Sequence, residues 1–393
     1  MQAAQTHTFD VANLWRGYRR EGPAFWADFS SKCTVIGRVV PLGPLDRTAW
    51  ASAARAPTEG GAPWTHGIVG WFGYEAGADF ERCPPPRGPR LLPDSWWGRI
   101  AAAAVLDPRG NVVHQVGALP IPRAGNTATA RGTIRAEEAD DEPFLRGVQS
   151  ILAHLRSGDC YQVNLTRRDV LRGEFNPLAT WLRLRADNPA RRAVFLDTDE
   201  GTLLSNSPEL LLRVRGGRAL SVPIKGTAPV ASPREALLRS PKERAELTMI
   251  VDLVRSDLGR VAAPGTVAAG PRRVGRVGHV WHAMRRVEAS LAPGFDAVDA
   301  FAAVFPPGSV TGAPRVRAME VIRELEPVPR GVYCGSIGWF APGEADANVA
   351  IRTVSLRGDE AHVQAGSGIV LGSEPRRELA EAKLKVERLR AAL

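Results

Sequence analysis

The chain predicts an α+β fold on three observations. Strand-like runs dominate it, single helices interrupt them, and no regular strand–helix alternation marks a doubly wound parallel sheet. Its 393 residues suffice for one large α+β unit or two ordinary domains, and 44% hydrophobic content can fill a sizeable core. Residues 1 to about 120 read as short strands and turns, with Gly67-Ile68-Val69-Gly70-Trp71-Phe72-Gly73-Tyr74 the clearest strand and Pro84-Pro85-Pro86 a loop. From about 121 to 143 the composition shifts to Pro, Gly and Thr, and then to the acidic run Glu137-Glu138-Ala139-Asp140-Asp141-Glu142. That shift predicts a linker between an amino-terminal region, 1–135, and a larger domain, 140–393, the two intertwined in one globular unit.

Beyond the linker, Phe144, Leu145, Val148, Ile151, Leu152 and Leu155 recur with helical spacing and stop at Ser157-Gly158, a carboxy-terminal cap. The alternating run Tyr161 to Thr166 then reads as a strand. Ser240-Pro241-Lys242-Glu243 joins a capping Ser, Pro at the first helical position and Glu three residues on, and so opens a helix towards Gly259. Ser373 with Pro375 similarly opens a last helix running towards Leu393. No repeat of fixed short period is visible.

No charged amino-terminal segment leads into an apolar core, and the longest apolar run, Ala101 to Leu106, is far short of the ~20 residues a membrane span needs. A soluble, cytoplasmic protein is expected. Four dispersed cysteines (Cys33, Cys83, Cys160, Cys334) lack both Cys-x-x-Cys pairing and disulfide density, and so read as reduced, packed residues. The net charge of +9 and pI near 9.9 would fit nucleic-acid binding. Against that reading, the arginines are interleaved with acids along the whole chain, with no zinc-finger spacing, RNP-type aromatic motif or basic tail. A basic surface also steers an anionic substrate.

Of the 51 Lys+Arg only five are lysines (Lys32, Lys225, Lys242, Lys383, Lys385), which leaves 51 − 5 = 46 arginines. Lysine is thus a rarity here. Lys225 stands in Pro223-Ile224-Lys225-Gly226-Thr227, after a rigid Pro and before a Gly-Thr turn where backbone can approach a ligand, a setting that suits a nucleophile as well as a surface lysine in a turn. In the last helix Glu378, Glu381 and Lys385 fall at i, i+3 and i+7 and share one face, beside the apolar stripe Leu379, Ala382, Val386, Leu389 and Leu393. Glu246 lies early in the helix opened by Ser240. If that helix end meets the last helix, two or three carboxylates surround one point, a hard-oxygen set suited to magnesium. Each Glu taken alone reads as a solvated helix residue.

A series of blocks resembles, in order and spacing, the chorismate-utilising enzymes. They are Gly158-Asp159-Cys160-Tyr161-Gln162-Val163-Asn164-Leu165-Thr166-Arg167, Ser207-Pro208-Glu209, Lys242-Glu243-Arg244-Ala245-Glu246 with Ile250-Val251-Asp252-Leu253, and Gly308-Ser309-Val310-Thr311-Gly312-Ala313-Pro314. Tyr333-Cys334-Gly335-Ser336-Ile337-Gly338, Ala350-Ile351-Arg352-Thr353 and Ala365-Gly366-Ser367-Gly368-Ile369-Val370 follow. Before residue 143 the resemblance is looser, chiefly Gly70-Trp71-Phe72-Gly73-Tyr74-Glu75. It implies two large packed antiparallel sheets flanked by helices, a four-layer α/β/β/α core with the active site between them.

The resemblance also implies roles. Chorismate is a dianion, so Arg352 would clamp one carboxylate with Tyr333 beside it, and the amides around Gly366 and Gly368 would form an anion nest; Thr311, Gly312 and Lys385 complete the substrate-binding set. Glu246 and Glu381, with Glu378 adjacent, would bind Mg2+, and Glu209 would be the general acid that protonates the departing 4-hydroxyl. Isochorismate and salicylate synthases place a water-activating Lys where this chain has Gln162, so Gln162 argues against water as nucleophile and leaves nitrogen chemistry. The Lys225 loop resembles that of the aminodeoxychorismate synthases, in which the lysine attacks carbon 2 and ammonia then enters at carbon 4. Anthranilate synthases usually carry Ala there and remain the rival. No Gly-x-Cys-x-Gly block is present, so ammonia is expected from a partner glutamine amidotransferase subunit or from solution.

Several positions depart from the family pattern. Leu247-Thr248 stands for Asn-Leu, Ser256 for Asn, Pro307 for Gly, and Ala382-Lys383 follows Glu381 where Thr is usual. Trp281-His282-Ala283-Met284-Arg285-Arg286 replaces His-Leu-Val-Ser, which leaves His282 open as either a catalytic or a structural histidine. The motif that forms a tryptophan pocket in relatives is blurred at Asp28-Phe29-Ser30-Ser31.

Overall fold

The structure, a computed structural model, describes residues 10–30, 33–59, 61–85, 87–122, 131–187 and 189–393. Its α-helices are α1 (Val11–Glu21), α2 (Arg47–Arg55), α3 (Glu142–Arg156), α4 (Pro177–Asp187), α5 (Arg234–Arg239), α6 (Pro241–Gly259), α7 (Ala297–Val304), α8 (Arg315–Leu325) and α9 (Pro375–Arg390). No helix among the described residues is long and apolar enough to cross a membrane.

Eighteen strands join by antiparallel pairing into one ribbon. From one end it runs through Ala268–Ala269, Val287–Ser290, Arg218–Val222, Leu210–Arg215, Glu344–Asn348, Ser336–Ala341, Ile68–Phe72 and Ser95–Leu106. It continues through Cys33–Gly43, Ala24–Ser30, Arg192–Thr198, Gly201–Ser207, Thr353–Arg357, Glu360–Ile369 and Gln162–Glu174. Amino-terminal strands therefore lie between strands from the later part of the chain. The two longest of them, Cys33–Gly43 and Ser95–Leu106, form the corner at which the ribbon folds over. Their register slips between Arg38 and Val39, where the facing residues are Ala102 and Ile100 and Ala101 is left over; such a bulge bends a strand pair.

Side-chain alternation along Ser95–Leu106 displays the layers. Trp96, Ile100, Ala103 and Val105 point between the two halves of the ribbon, into a core shared with Phe25, Trp71, Leu196 and Trp339. Trp97 points the other way, into a core with Trp50 of α2, Val148 of α3, Val251 of α6 and Phe301 of α7. Past the bend Ala102, Ala104 and Leu106 meet Trp15 of α1, Trp181 of α4 and Val386 of α9. The result is helices, sheet, sheet, helices, the four-layer arrangement that the resemblance implied.

Several local expectations hold. Helix α3 ends at Arg156 with Gly158 at φ +81°, and Ser240 Oγ accepts from Glu243 N–H at 3.3 Å at the start of α6. Others are corrected. The amino-terminal part is not only short strands and turns, since α1 and α2 lie in it, each opened by an aspartate: Asp10 accepts from Ala12 N–H at 2.9 Å and Asp46 from Ala49 N–H at 2.7 Å. Residues 133–138 of the expected linker form a strand on Gln162–Glu174. Its mostly exposed polar side chains leave no alternation to read; main-chain pairing, Ile134 against the core and ion pairs such as Glu137 with Arg390 at 2.5 Å hold it. The strand expected over Tyr161 to Thr166 runs from Gln162 to Glu174. Ser373 does not cap α9: its hydroxyl accepts from Val370 N–H at 3.1 Å, Glu374 takes the cap position, and the helix stops at Arg390. Ser31, Pro86 and residues 123–130 lie outside the described residues.

A buried ion pair ties these parts together. Arg330, 1% exposed, donates from Nε to Glu326 Oε2 at 2.8 Å and from Nη2 to Glu326 Oε1 at 2.7 Å. It also reaches the Val310 and Asn164 carbonyls at 2.7 Å each and lies 4.4 Å over the Tyr74 ring. Glu326 in turn accepts from the N–H and hydroxyl of Thr166. Removing Glu326 would strand a buried cation, so Glu326→Ala should cost about 3–5 kcal/mol of stability, against less than about 0.5 kcal/mol for exposed Glu324→Ala. Urea unfolding midpoints compare the two, and equal losses would contradict the assigned role of the pair.

Candidate active site

A second, three-stranded sheet of Ile224–Pro229, Val280–Met284 and Arg273–Val277 carries two of the expected site residues. Lys225 stands opposite Ala283 and Thr227 opposite His282, so Gly226 is the extra residue of a bulge, at φ +84°. That φ favours glycine at this point, and a Cβ would also push the Glu243 carboxylate aside.

The bulge delivers the Lys225 amine to the opposite sheet. A methyl group on Gly368 would stand 2.9 Å from Lys225 Nζ and 3.2 Å from Gln162 Cδ and Nε2, so amine and amide share the space above that glycine. The Lys225 stem is only partly covered, yet its amine lies deep. Burial is the largest influence on it and pushes the pKa below the usual lysine range; Glu246 and Glu209 oppose this, Lys385 adds to it, and Glu381 opposes it.

Glu209, 4% exposed, is pushed up to about 7 by burial, against a hydrogen bond with Ser309, the charge of Lys225 and a hydrogen bond with the Ile224 backbone. Near neutral pH roughly half of these carboxyls carry a proton. His282 is 3% exposed, and burial, then the charge of Arg352, holds its pKa at about 4. Arg352 Nη2 lies 2.8 Å from His282 Nε2 and can only donate, so the ring proton is on Nδ1, which faces Thr227 Oγ1 at 3.2 Å and hydrogen-bonds the Gly226 backbone. His282 is thus neutral, with both nitrogens engaged in orienting Arg352 and the bulge. Ser309 and Thr227 are functional neighbours that sequence reasoning passed over. Each lies inside a run it quoted, but the partner of each is distant in the chain.

Three buried polar atoms of this cluster, Gln162 Oε1 and Nε2 and Arg352 Nη1, have no hydrogen-bond partner among the described residues. Such atoms destabilise a fold unless something polar meets them, which marks the space around them as a place for a ligand. Arg352 also sits at φ +52°, and burial lowers its pKa to about 10. Lys385 donates to the Gly366 carbonyl at 2.8 Å and pairs with Glu381 at 2.7 Å.

The remaining expected residues occupy the margins. The Thr311 hydroxyl donates to the Pro307 carbonyl at 3.0 Å, and Gly312 packs where a Cβ would strike the Gln162 carbonyl. Tyr333 is buried with its phenol O–H hydrogen-bonded to Cys334, and burial raises its pKa. Glu246 of α6 and Glu381 of α9 both act on the Lys225 amine, while Glu378 is not among its charge partners and its carbonyl lies 3.4 Å from Ser367 Oγ. No three His, Cys, Asp or Glu side chains gather into a cage among the described residues. Glu246 and Glu381 act on the same amine from two helices, and carboxylates are the ligand type Mg2+ takes beside water and substrate oxygens, although Glu381 is here paired with Lys385.

Comparison with known proteins accords with this geometry. A family model for chorismate binding enzymes matches residues 41–391. The chain is 37% identical over 385 residues to anthranilate synthase component 1 of Thermus thermophilus, covering 90% of this chain and 82% of that protein. It is 38% identical over 353 residues to aminodeoxychorismate synthase component 1 of Klebsiella aerogenes, covering 83% and 77% respectively. The crystal structure of anthranilate synthase component I from Streptococcus pneumoniae superposes with a TM-score of 0.80 at 27% identity, over 91% of this chain and 92% of that one. With a matched family model spanning most of its length and relatives of this similarity, the chain belongs to the chorismate-binding enzymes.

Proposed function

We propose that the chain is the synthase component that converts chorismate and ammonia to 4-amino-4-deoxychorismate, a precursor of p-aminobenzoate. Anthranilate synthesis is the second reading, because relatives of both kinds are about equally similar. One observation favours the first: Lys225 Nζ lies against Gly368 and Gln162 with its pKa lowered, in electrostatic reach of the protonatable Glu209. A lysine buried this way holds more free amine at neutral pH than a surface lysine, and only the free amine is nucleophilic.

In this reading the Lys225 amine bonds to carbon 2, the two ring double bonds shift, and the bond from carbon 4 to its hydroxyl breaks. Glu209 gives its proton to that oxygen, so water leaves rather than hydroxide. Ammonia then bonds to carbon 4, the double bonds shift back, and the bond from carbon 2 to Lys225 breaks with return of a proton to the amine. Arg352 Nη1 and the Gln162 amide, both without protein partners, supply donors and an acceptor for the substrate and the incoming nitrogen. Glu246 and Glu381 would hold Mg2+, which when bound neutralises the ring carboxylate. Ammonia would come from a partner glutamine amidotransferase.

Lys225→Ala should therefore lose the 4-amino product by several orders of magnitude in kcat, with Lys225→Arg no better, as read by mass spectrometry of the product. A variant that keeps the wild-type kcat and merely raises KM would instead make Lys225 a carboxylate partner and leave anthranilate synthesis as the better reading. The isolated chain should turn over with ammonium at alkaline pH and ignore glutamine until a glutaminase is added. Glutamine-dependent turnover by the pure chain would contradict the expected partner. By calorimetric titration, Glu381→Gln should weaken Mg2+ binding by about tenfold or more, and unchanged affinity would remove Glu381 from the metal site.

A further inference from the structure

On the far side of the Arg330–Glu326 pair, a cavity of about 40 Å3 opens between the segment that begins at Tyr74 and helix α8. It has room for about three waters, or for an anion of a few heavy atoms. Tyr74, Glu75, Arg323 and Glu326 line it, with Met319 and Ile322 as an apolar wall.

Its hydrogen-bonding account is one-sided. Tyr74 is 8% exposed and its hydroxyl has no partner, and Arg323 Nε and Nη2 are buried without partners. The acceptors around the cavity are already engaged. Glu75 Oε1 and Oε2 each accept a backbone N–H, from Arg330 and Gly331 at 2.8 Å, and both Glu326 oxygens are held by Arg330 and Thr166. Three buried donors, the Tyr74 hydroxyl and Arg323 Nε and Nη2, have no partner among the described residues, although each Glu75 oxygen keeps a free lone pair. Arg323 forms no ion pair among the described residues; Arg87 and Arg90 act on it as like charges, Arg90 being itself paired with Asp94 at 2.8 Å, and Glu75 acts as an opposite one. The carboxyl nearest in effect, Glu75, is pushed up to about 7 by burial, so it is only partly charged near neutral pH. A ligand that answers this set brings acceptor oxygens, a negative charge and a small apolar end.

We propose that this cavity binds a small monocarboxylate, its oxygens on Arg323 and Tyr74 and its carbon end against Met319 and Ile322. The occupant would lie against Glu326, whose partner Arg330 holds the carbonyls of Val310 and Asn164 beside the catalytic cluster. Binding there would stiffen the same frame that carries Gln162 and Ser309.

The test uses the full chain with sodium formate and sodium acetate at constant ionic strength, sodium chloride being the control. Saturation-transfer NMR should show acetate contacting the protein, and the unfolding midpoint should rise saturably, on the order of 2 °C. Both effects should weaken about tenfold or more in Arg323→Gln and in Tyr74→Phe, which removes a single oxygen. They should persist in Arg352→Gln, which separates this cavity from the anion site of the substrate. A signal lost in Arg352→Gln, a midpoint shift matched by chloride, or binding unchanged in both cavity variants would overturn the proposal and leave a cavity that holds water only. Should Arg323→Gln not fold, wild type against Tyr74→Phe decides the question.

Discussion

The guanidinium of Arg330 is the constraint on which the site rests. A cation taken out of water is expensive to hold, and this one is made tolerable by a two-oxygen grip on Glu326, two carbonyls and an aromatic face. Those partners belong to the strand that carries Gln162, the loop that carries Ser309 and Thr311, helix α8 with its following residue, and the amino-terminal segment at Tyr74. The Gln364 side chain adds the neighbouring strand by donating to the Arg330 carbonyl at 2.7 Å. Elements far apart in sequence are thus fixed at one point by directional bonds, which apolar packing alone would not orient.

Against that frame the Lys225 sheet is set by its own device, the Gly226 bulge. The amine it delivers enters a space where two opposed influences meet. Burial favours the neutral amine, and three carboxylates favour the charged one. The net effect lowers the lysine's pKa, and a Glu209 buried enough to hold a proton near neutrality opposes that lowering less. Each group shifts the other, since a protonated Glu209 no longer stabilises an ammonium, and a neutral Lys225 no longer lowers the Glu209 pKa. Placing both in the same poorly solvated pocket moves the two pKa values towards each other, the lysine's down and the carboxyl's up.

Much of this was legible in the residues. The caps of α3 and α6 were read correctly, the ordered blocks implied the fold class, and several residues taken from those blocks gather around the Lys225 amine. The misses have physical causes. Helices α1 and α2 carry apolar positions at helical spacing, Leu14, Trp15 and Tyr18 among them, but they lie among strands rich in the same residues. The strand at residues 133–138 shows no period because most of its side chains are polar and exposed, and it is held by backbone pairing and by ion pairs with residues distant in sequence. The Ser309–Glu209 and Thr227–His282 contacts are long-range and leave no trace in spacing. Nor could sequence show that Tyr333 hydrogen-bonds Cys334, or that His282 is neutral, because both depend on burial.

The space above Gly368 explains why these residues occur together. Lys225 Nζ and the Gln162 amide both occupy the volume that a Cβ at position 368 would need. Glycine there leaves both side chains their present places, and a methyl at 2.9 Å would push the amine back towards the bulge. The same crowding bears on position 162. A lysine there would place a second amine beside Lys225, and two ammonium groups in one poorly solvated pocket would repel each other strongly. The pair would shed a proton or one member would be expelled, and neither would hold a reliable role. A water-activating lysine and a nucleophilic lysine are therefore alternatives on this scaffold. The neutral amide of Gln162 adds no such repulsion, so Lys225 can carry its charge or lose it without a second cation beside it.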